Sequence, residues 1–247
     1  VSRQILGLMF ATTFLGVSTG AFAAPYVERD GRYEINWSTG KVRFYGVAKP
    51  EADEGDFRSA EQRAWANGLK AAEKNIPALL SGRLGKVSKT SPDKLSKLAA
   101  STTSVSTTYF GDQRVKVLLE SPVHKITSQL TQPSANGAAL ATAPGSESYV
   151  VVRLPKSAKP VAFVQILDDA GREMLSAGDV AKATNDGAGL SRWYRREIAA
   201  DAFDKSIQPP EINAEYSAPG VLKVAASAWR PEYAAAITAG RGIFVVE

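Results

Sequence analysis

Apolar and polar positions change period several times along the chain, and each change marks an element. Residues 32–37 alternate, with Tyr33, Ile35 and Trp37 on one side, and residues 41–47 alternate again through Val42 and Phe44. Two period-two runs separated by Ser38-Thr39-Gly40 predict a β-hairpin. The period then moves to three and four. Phe57, Ala60, Ala64, Gly68, Leu69, Ala72 and Ile76 share one helical face, while Glu61, Asn67, Lys70, Glu73 and Lys74 fall elsewhere. This predicts an amphipathic helix, capped by Asp53 or Asp56 and ended or kinked by Pro77. Small residues at 60, 64, 68 and 72 let a neighbouring sheet or helix approach closely.

Beyond this helix the pattern is more broken. Ser91-Pro92 is a helix start, with serine as cap and proline in the first turn, and the helix should reach about residue 100 before dissolving in the Ser/Thr run 101–108. Residues 114–119 and 123–130 read as strands, and the Pro/Ala/Gly/Ser-rich stretch 132–148 as a flexible loop. Residues 149–154 are almost continuously apolar, as in a strand buried on both faces. A linker is expected at 154–160. Strands follow at 161–167 and 172–175 around the Asp168-Asp169-Ala170-Gly171 turn, then at 211–217, 222–226 and Gly242–Val246, with a polar stretch at 178–190 and a short helix from Pro231 to Gly240. Strands mixed with few helices, without regular βαβ alternation, predict an α+β fold. Its first half, residues 24–155, is expected to pack the hairpin and the Ala-rich helix on a mixed or antiparallel sheet. A smaller α+β module, residues 156–247, follows, and residues 24–31 are expected to be an unstructured lead-in.

The first 23 residues change the picture of location. Arg3, an apolar run from Ile5 to Val17 and the small-residue pattern Ala21-Phe22-Ala23 make a secretory signal peptide, and the run is too short to span a bilayer. Removing 23 of the 247 residues leaves 224, and loss of Arg3 lowers the net charge from +5 to +4. The expected location is therefore the periplasm or the exterior, with no transmembrane segment after cleavage. The chain has no Cys and one His. Disulfides, thiolate metal sites and lipidation at a lipobox-type Cys are excluded, and so is any site needing two imidazoles.

Three segments carry a family resemblance. They are Val42-x-Phe44-x-Gly46-x-Ala48; then Ala60-x-x-Arg63-Ala64-x-x-x-Gly68-Leu69-x-x-Ala72; then Tyr149-Val150-Val151-Val152-Arg153-Leu154. Together they resemble bacterial envelope proteins of the flagellar lipoprotein P and flagellar assembly protein T type, over roughly residues 41–155. The resemblance implies that a strand ending in the Gly-x-Ala segment feeds the helix and that a later strand, here 149–154, returns beside the first. Residues 160–247 resemble a module of unknown role found behind that domain, through residues 166–173, 210–214 and Gly242–Val246. The chain departs from the lipoprotein members in lacking the lipidated Cys. The resemblance implies an envelope or flagellum-associated structural role and brings no catalytic residues.

Little else suggests chemistry. His124 permits a triad in principle, but no G-x-S-x-G elbow presents a nucleophile. Ser91-x-x-Lys94 matches S-x-x-K without its companion motifs, and capping already explains Ser91. Glu51, Asp53, Glu54 and Asp56 do not follow the calcium-loop order, and Asp168 and Asp169 suit a hairpin turn. The densest basic-aromatic cluster is Arg192, Trp193, Tyr194, Arg195 and Arg196, which could bind glycan or anionic lipid headgroups or else pack Trp193 inward and leave the arginines solvated. The sequence thus points to a secreted, non-enzymatic structural or assembly protein of the bacterial envelope, without metal, cofactor or nucleic-acid partner. Edge strands or the helix face around Ala64 and Gly68 would meet envelope or flagellar proteins or another copy. The alternative is a periplasmic binding module for glycan or anionic lipid headgroups centred on Trp193, which requires that side chain to be exposed.

Overall fold

The computed structural model describes residues 24–51, 57–87, 95, 97–131, 148–198, 202 and 208–247. These form an α+β architecture of three sheets and five helices. The N-terminal part contains β1 (Ala24–Pro25), β2 (Val27–Asp30), β3 (Tyr33–Asn36), β4 (Lys41–Ala48), α1 (Phe57–Ser81), α2 (Leu98–Ser101), β5 (Thr103–Tyr109), β6 (Val115–Pro122) and α3 (Val123–Leu130). Then come β7 (Val150–Leu154), β8 (Gln165–Leu167), β9 (Glu173–Leu175), α4 (Ala177–Asn185), β10 (Arg192–Arg195), β11 (Glu211–Asn213), β12 (Glu215–Ala218), β13 (Val221–Lys223), α5 (Pro231–Thr238) and β14 (Gly242–Val246).

The first sheet is antiparallel, in the order β2-β3-β4-β6-β5. Alternation sends Ile35, Val42, Phe44, Val117 and Leu119 to one face, where α1 buries Ala60, Ala64, Leu69, Ala72, Ile76 and Leu80. On the opposite face Lys41 and Arg43 pair with Glu120 at 2.6 and 2.8 Å. This one-sided burial is what an alternating antiparallel sheet requires. The β3–β4 hairpin appears where the turn signal placed it, with the Asn36 carboxamide oxygen accepting from the Ser38 and Thr39 amides. α1 continues through Pro77 to Ser81. Full burial of Ile76 and Leu80 around the proline offsets the lost backbone hydrogen bond.

The second sheet has the order β1-β10-β14-β7-β11. Its last four strands run parallel, and β1 is antiparallel at the edge. β14 is buried at every position, because its residues alternate between two apolar layers. Val150, Val152, Phe244 and Val246 join the main core, while Val151, Tyr194, Ile243 and Val245 form a second cluster on the other face. A small sheet, β12-β13-β8-β9, flanks it. The main core runs without interruption from Ile35 and Phe44 to Trp193 and Phe244.

Several expectations are corrected. Residues 24–31 are not an unstructured lead-in: β2 pairs with β3, and β1 with β10. The Glu28 carboxylate accepts from Trp37 Nε1 at 2.9 Å and from the Arg83 guanidinium at 2.7 Å, which ties the segment down. The Ser/Thr run is not irregular; it is β5, hairpinned to β6. Residues 123–130 form a helix, since Val123, Ile126, Thr127 and Leu130 are buried at helical spacing. The polar stretch holds α4, capped by Ser176 Oγ accepting from the Asp179 amide. The strand at 149–154 does not return beside β4. β6 takes that place, and β7 lies between β14 and β11. β7, which begins at Val150, is thus a strand of the second sheet, as is β1 at Ala24–Pro25. The main core on one side and the second apolar cluster on the other bury both faces of β7, whereas the outer face of the first sheet carries charged side chains. The expected linker is irregular beyond Leu154 and exposed at Pro155, Lys156, Ser157 and Lys159, with Ala158 buried. Residues 161–164, expected to open a strand, are buried without strand pairing, and the Ala162 amide donates to Arg83 O. The caps at Asp53 and Asp56, the Ser91-Pro92 helix start with Lys94, and the loop at 132–147 lie outside the described residues.

Candidate functional site

The basic-aromatic cluster does not form one surface. Arg192–Arg195 is β10, inside the second sheet, and both sheet faces are covered there. Trp193 is 1% exposed, stacks on Phe244 at 4.7 Å, and donates from Nε1 to Val161 O at 3.1 Å. Tyr194 is buried in the opposite layer. Arg192 donates to Ala202 O, and only Arg195 and Arg196 of the five are exposed. A headgroup or glycan site centred on Trp193 is overturned, because the indole is a core side chain.

The helix face around Ala64 and Gly68 is likewise occupied by the protein itself. A Cβ on Gly46 of β4 would lie 1.9 Å from Ala64 O and 2.4 Å from Gly68 N. The small residues let α1 rest directly on the β4 backbone, which buries Ala64 and Gly68.

His124 is half-buried in the first turn of α3. Burial and the neighbouring Lys125 charge both hold its pKa below the ordinary value, and among the described residues its ring bonds to no serine hydroxyl or carboxylate. Glu51 pairs with Arg63 at 3.5 Å. Asp169 accepts from the Ala226 amide. Asp168 organises the β8–β9 turn, accepting from both the amide and Nε of Arg172 at 2.7 and 2.6 Å. Burial pushes its carboxyl up, but the Arg172 amide and guanidinium more than offset this and hold it below the usual range. A folded-state pKa below the unfolded one means a contribution that is complete above the ordinary carboxylate range and lost as pH falls through the folded value. Chemical denaturation as a function of pH should therefore show stability falling below about pH 4. Asp168→Asn should lower stability at neutral pH and flatten that acid limb.

The exposed apolar surface lies elsewhere. Among the described residues the large exposed hydrophobic side chains are Phe57, Val105, Tyr109 and Phe110, and all belong to β5, its turn or the facing start of α1. Phe57 meets Tyr109 edge-on at 5.6 Å. The Tyr109 hydroxyl donates to Glu61, which holds the phenol pKa above its ordinary value. The Arg114 guanidinium lies 5.2 Å from the Phe110 ring, and Asp112 anchors Arg114 at 2.6 Å. Gln113 closes the turn with φ 66, a left-handed conformation that costs a non-glycine residue about 1–2 kcal/mol.

Among the described residues β5 is also the open edge of its sheet. Its seven residues, Thr-Ser-Val-Ser-Thr-Thr-Tyr, carry no charge and no proline, and six of them are exposed. The other sheet edges are short or charged. β1 has two residues and ends in proline, β2 reads Val-Glu-Arg-Asp, and β9, β11 and β12 have three or four residues with a glutamate each. Charges, prolines and shortness are how edges resist pairing, and β5 has only a bulge between Ser104 and Ser106. Sequence reading missed this edge because Ser and Thr suggested a loop. The β-branched residues at 103, 105, 107 and 108 and the Tyr at 109 were the available signal.

The chain matches no protein-family model and no curated protein. Among the described residues no helix is long and apolar enough to cross a membrane.

Proposed function

We propose that this is a secreted, non-enzymatic structural or assembly protein of the bacterial envelope, and that it assembles with a second copy of itself through the β5 edge. The observation that carries the reading is the uncharged seven-residue edge beside the exposed Phe57–Tyr109–Phe110 cluster. Backbone pairing at an open edge supplies affinity, and neighbouring aromatic side chains supply the anchoring contacts. A second copy is the occupant this chemistry favours. Two uncharged β5 strands can pair antiparallel about a twofold axis without like-charge repulsion, joining two five-stranded sheets into one. Export rests on the signal-peptide pattern, and a flagellar setting rests on the resemblance over roughly residues 41–155.

Sedimentation of the exported protein is expected to show a dimer at micromolar concentration. Val105→Lys places a charge in the edge and should weaken dimerisation at least about tenfold, or about 1.4 kcal/mol, without altering the circular dichroism spectrum. Phe57→Ala should weaken it as well. A wild-type protein that stays monomeric would sink the self-assembly reading. Deletion of the gene is expected to impair motility or envelope integrity, and an unaffected strain would remove the envelope-assembly role.

A further inference from the structure

The carboxyl edge of the parallel sheet gathers cations that form no ion pair among the described residues. β10, β14 and β7 are adjacent and in register, so Arg195, Val246 and Leu154 lie in one row across the sheet. The residues just past this row are Arg196, Glu247 and, after Pro155, Lys156. At strand spacings of about 4.8 Å the row is about 10 Å wide, which brings side chains from both outer strands within reach of one small ligand. A groove of about 510 Å³ lies here, lined by Ala24, Tyr26, Lys156, Arg195, Arg196 and Glu247 among others. The carboxyl ends of parallel strands are the usual place for ligands in open sheets.

Three features separate this groove from an ordinary solvated surface. First, three cations, Lys156, Arg195 and Arg196, converge on one groove; they form no ion pair among the described residues, which is also true of Lys70, Lys74 and Lys223, so it is the convergence that sets the groove apart. Glu247 also lines the groove, and counting it the groove's side chains still carry two net positive charges. Second, the Arg195 guanidinium is held 4.4 Å from the Tyr26 ring centre, so one donor fork is positioned before any ligand arrives. Third, Arg196 adopts φ 64, with its amide donating to Val246 O at 2.7 Å. A left-handed arginine is costly where glycine would be free, and such strain concentrates at binding sites.

We propose that this groove is an oxyanion site for a phosphoryl group, held by Lys156, Arg195 and Arg196. Two guanidinium forks and an ammonium match the several oxygens of a phosphate better than they match a single carboxylate. The site is independent of the β5 edge and lies on a different sheet. The phosphoryl group could be that of a soluble phosphate ester or of a phospholipid headgroup, and the experiment separates them.

The exported protein is titrated with inorganic phosphate by NMR, and with vesicles of phosphatidylglycerol or of phosphatidylcholine by co-sedimentation. Saturable phosphate binding that weakens as salt rises is expected. It should fall tenfold or more in Lys156→Ala and in Arg196→Gly, and Glu247→Gln should strengthen it. Arg196→Gly keeps the left-handed turn without strain, so its loss of binding cannot be charged to misfolding. Binding to phosphatidylglycerol but not phosphatidylcholine vesicles, with the same variant sensitivity, assigns the site to a lipid headgroup. Phosphate binding without vesicle binding assigns it to a soluble ester. Absence of binding to phosphate and to both vesicles, or binding that both variants leave unchanged, overturns the proposal.

Discussion

Replacing Gly46 with alanine is expected to be the most destabilising single-methyl change among the described residues. The added methyl carbon would sit 1.9 Å from Ala64 O, 2.4 Å from Gly68 N and 2.8 Å from Gly68 Cα, all backbone atoms of α1. No rotamer change relieves such a clash, so the helix must lift off the sheet. That would open the layer in which Ala60, Ala64, Leu69, Ala72 and Leu119 are buried. Overpacking costs about 1–3 kcal/mol when side chains can adjust. Here they cannot, and a loss above about 3 kcal/mol is expected against a total of about 5–15 kcal/mol for a domain. Gly68→Ala is the control. Its added carbon meets the movable end of Leu119 at 2.8 Å and Gly46 N at 3.0 Å, and alanine gains about 1 kcal/mol of helix propensity over glycine. Urea denaturation should rank Gly46→Ala far below Gly68→Ala. Equal stabilities would mean that α1 does not rest on β4 as described.

Trp193→Ala is expected to cost about 3–5 kcal/mol, the range for emptying a large aromatic site in a core. The indole stacks on Phe244 and satisfies Val161 O, so truncation leaves both a cavity and an unpartnered carbonyl. Trp193→Phe keeps much of the stacking but removes the donor, and should cost about 1–3 kcal/mol. The exposed neighbour Arg195 gives the contrast. Arg195→Ala should change stability by less than about 1 kcal/mol, since its only partner among the described residues is the Tyr26 ring. Thermal or urea unfolding of the three variants would check the split. A Trp193→Ala protein as stable as the wild type would return that side chain to the surface and reopen binding centred on it.

Strict alternation made the β3–β4 hairpin and β6 legible, and the unbroken apolar runs did the same for β7 and β14. The small-residue face of α1 was legible too, though not what it was for. Ala64 and Gly68 suggested a partner, and only the position of Gly46 beneath them shows that the partner is the protein's own sheet. The segment 123–130 already carried helical spacing, but its short apolar run also suited a strand. The basic-aromatic cluster misled for a different reason. Side chains in Arg192–Arg195 point to two faces, and sequence does not say that both faces of this sheet are covered.

By itself the sequence determined the α+β class, most strands of the two larger sheets, the long helix, and the absence of thiol and two-histidine chemistry. Those depend on local period and composition, which are properties of neighbouring residues. Which strand lies beside which was decided only in three dimensions. β7 went between β14 and β11, β5 was left as an open edge among the described residues, and Lys156 came into the groove that Arg195 lines. Pairing is chosen by burial of whole faces across residues far apart in the chain, so the open edge and the cationic groove have no signature in any single stretch of sequence.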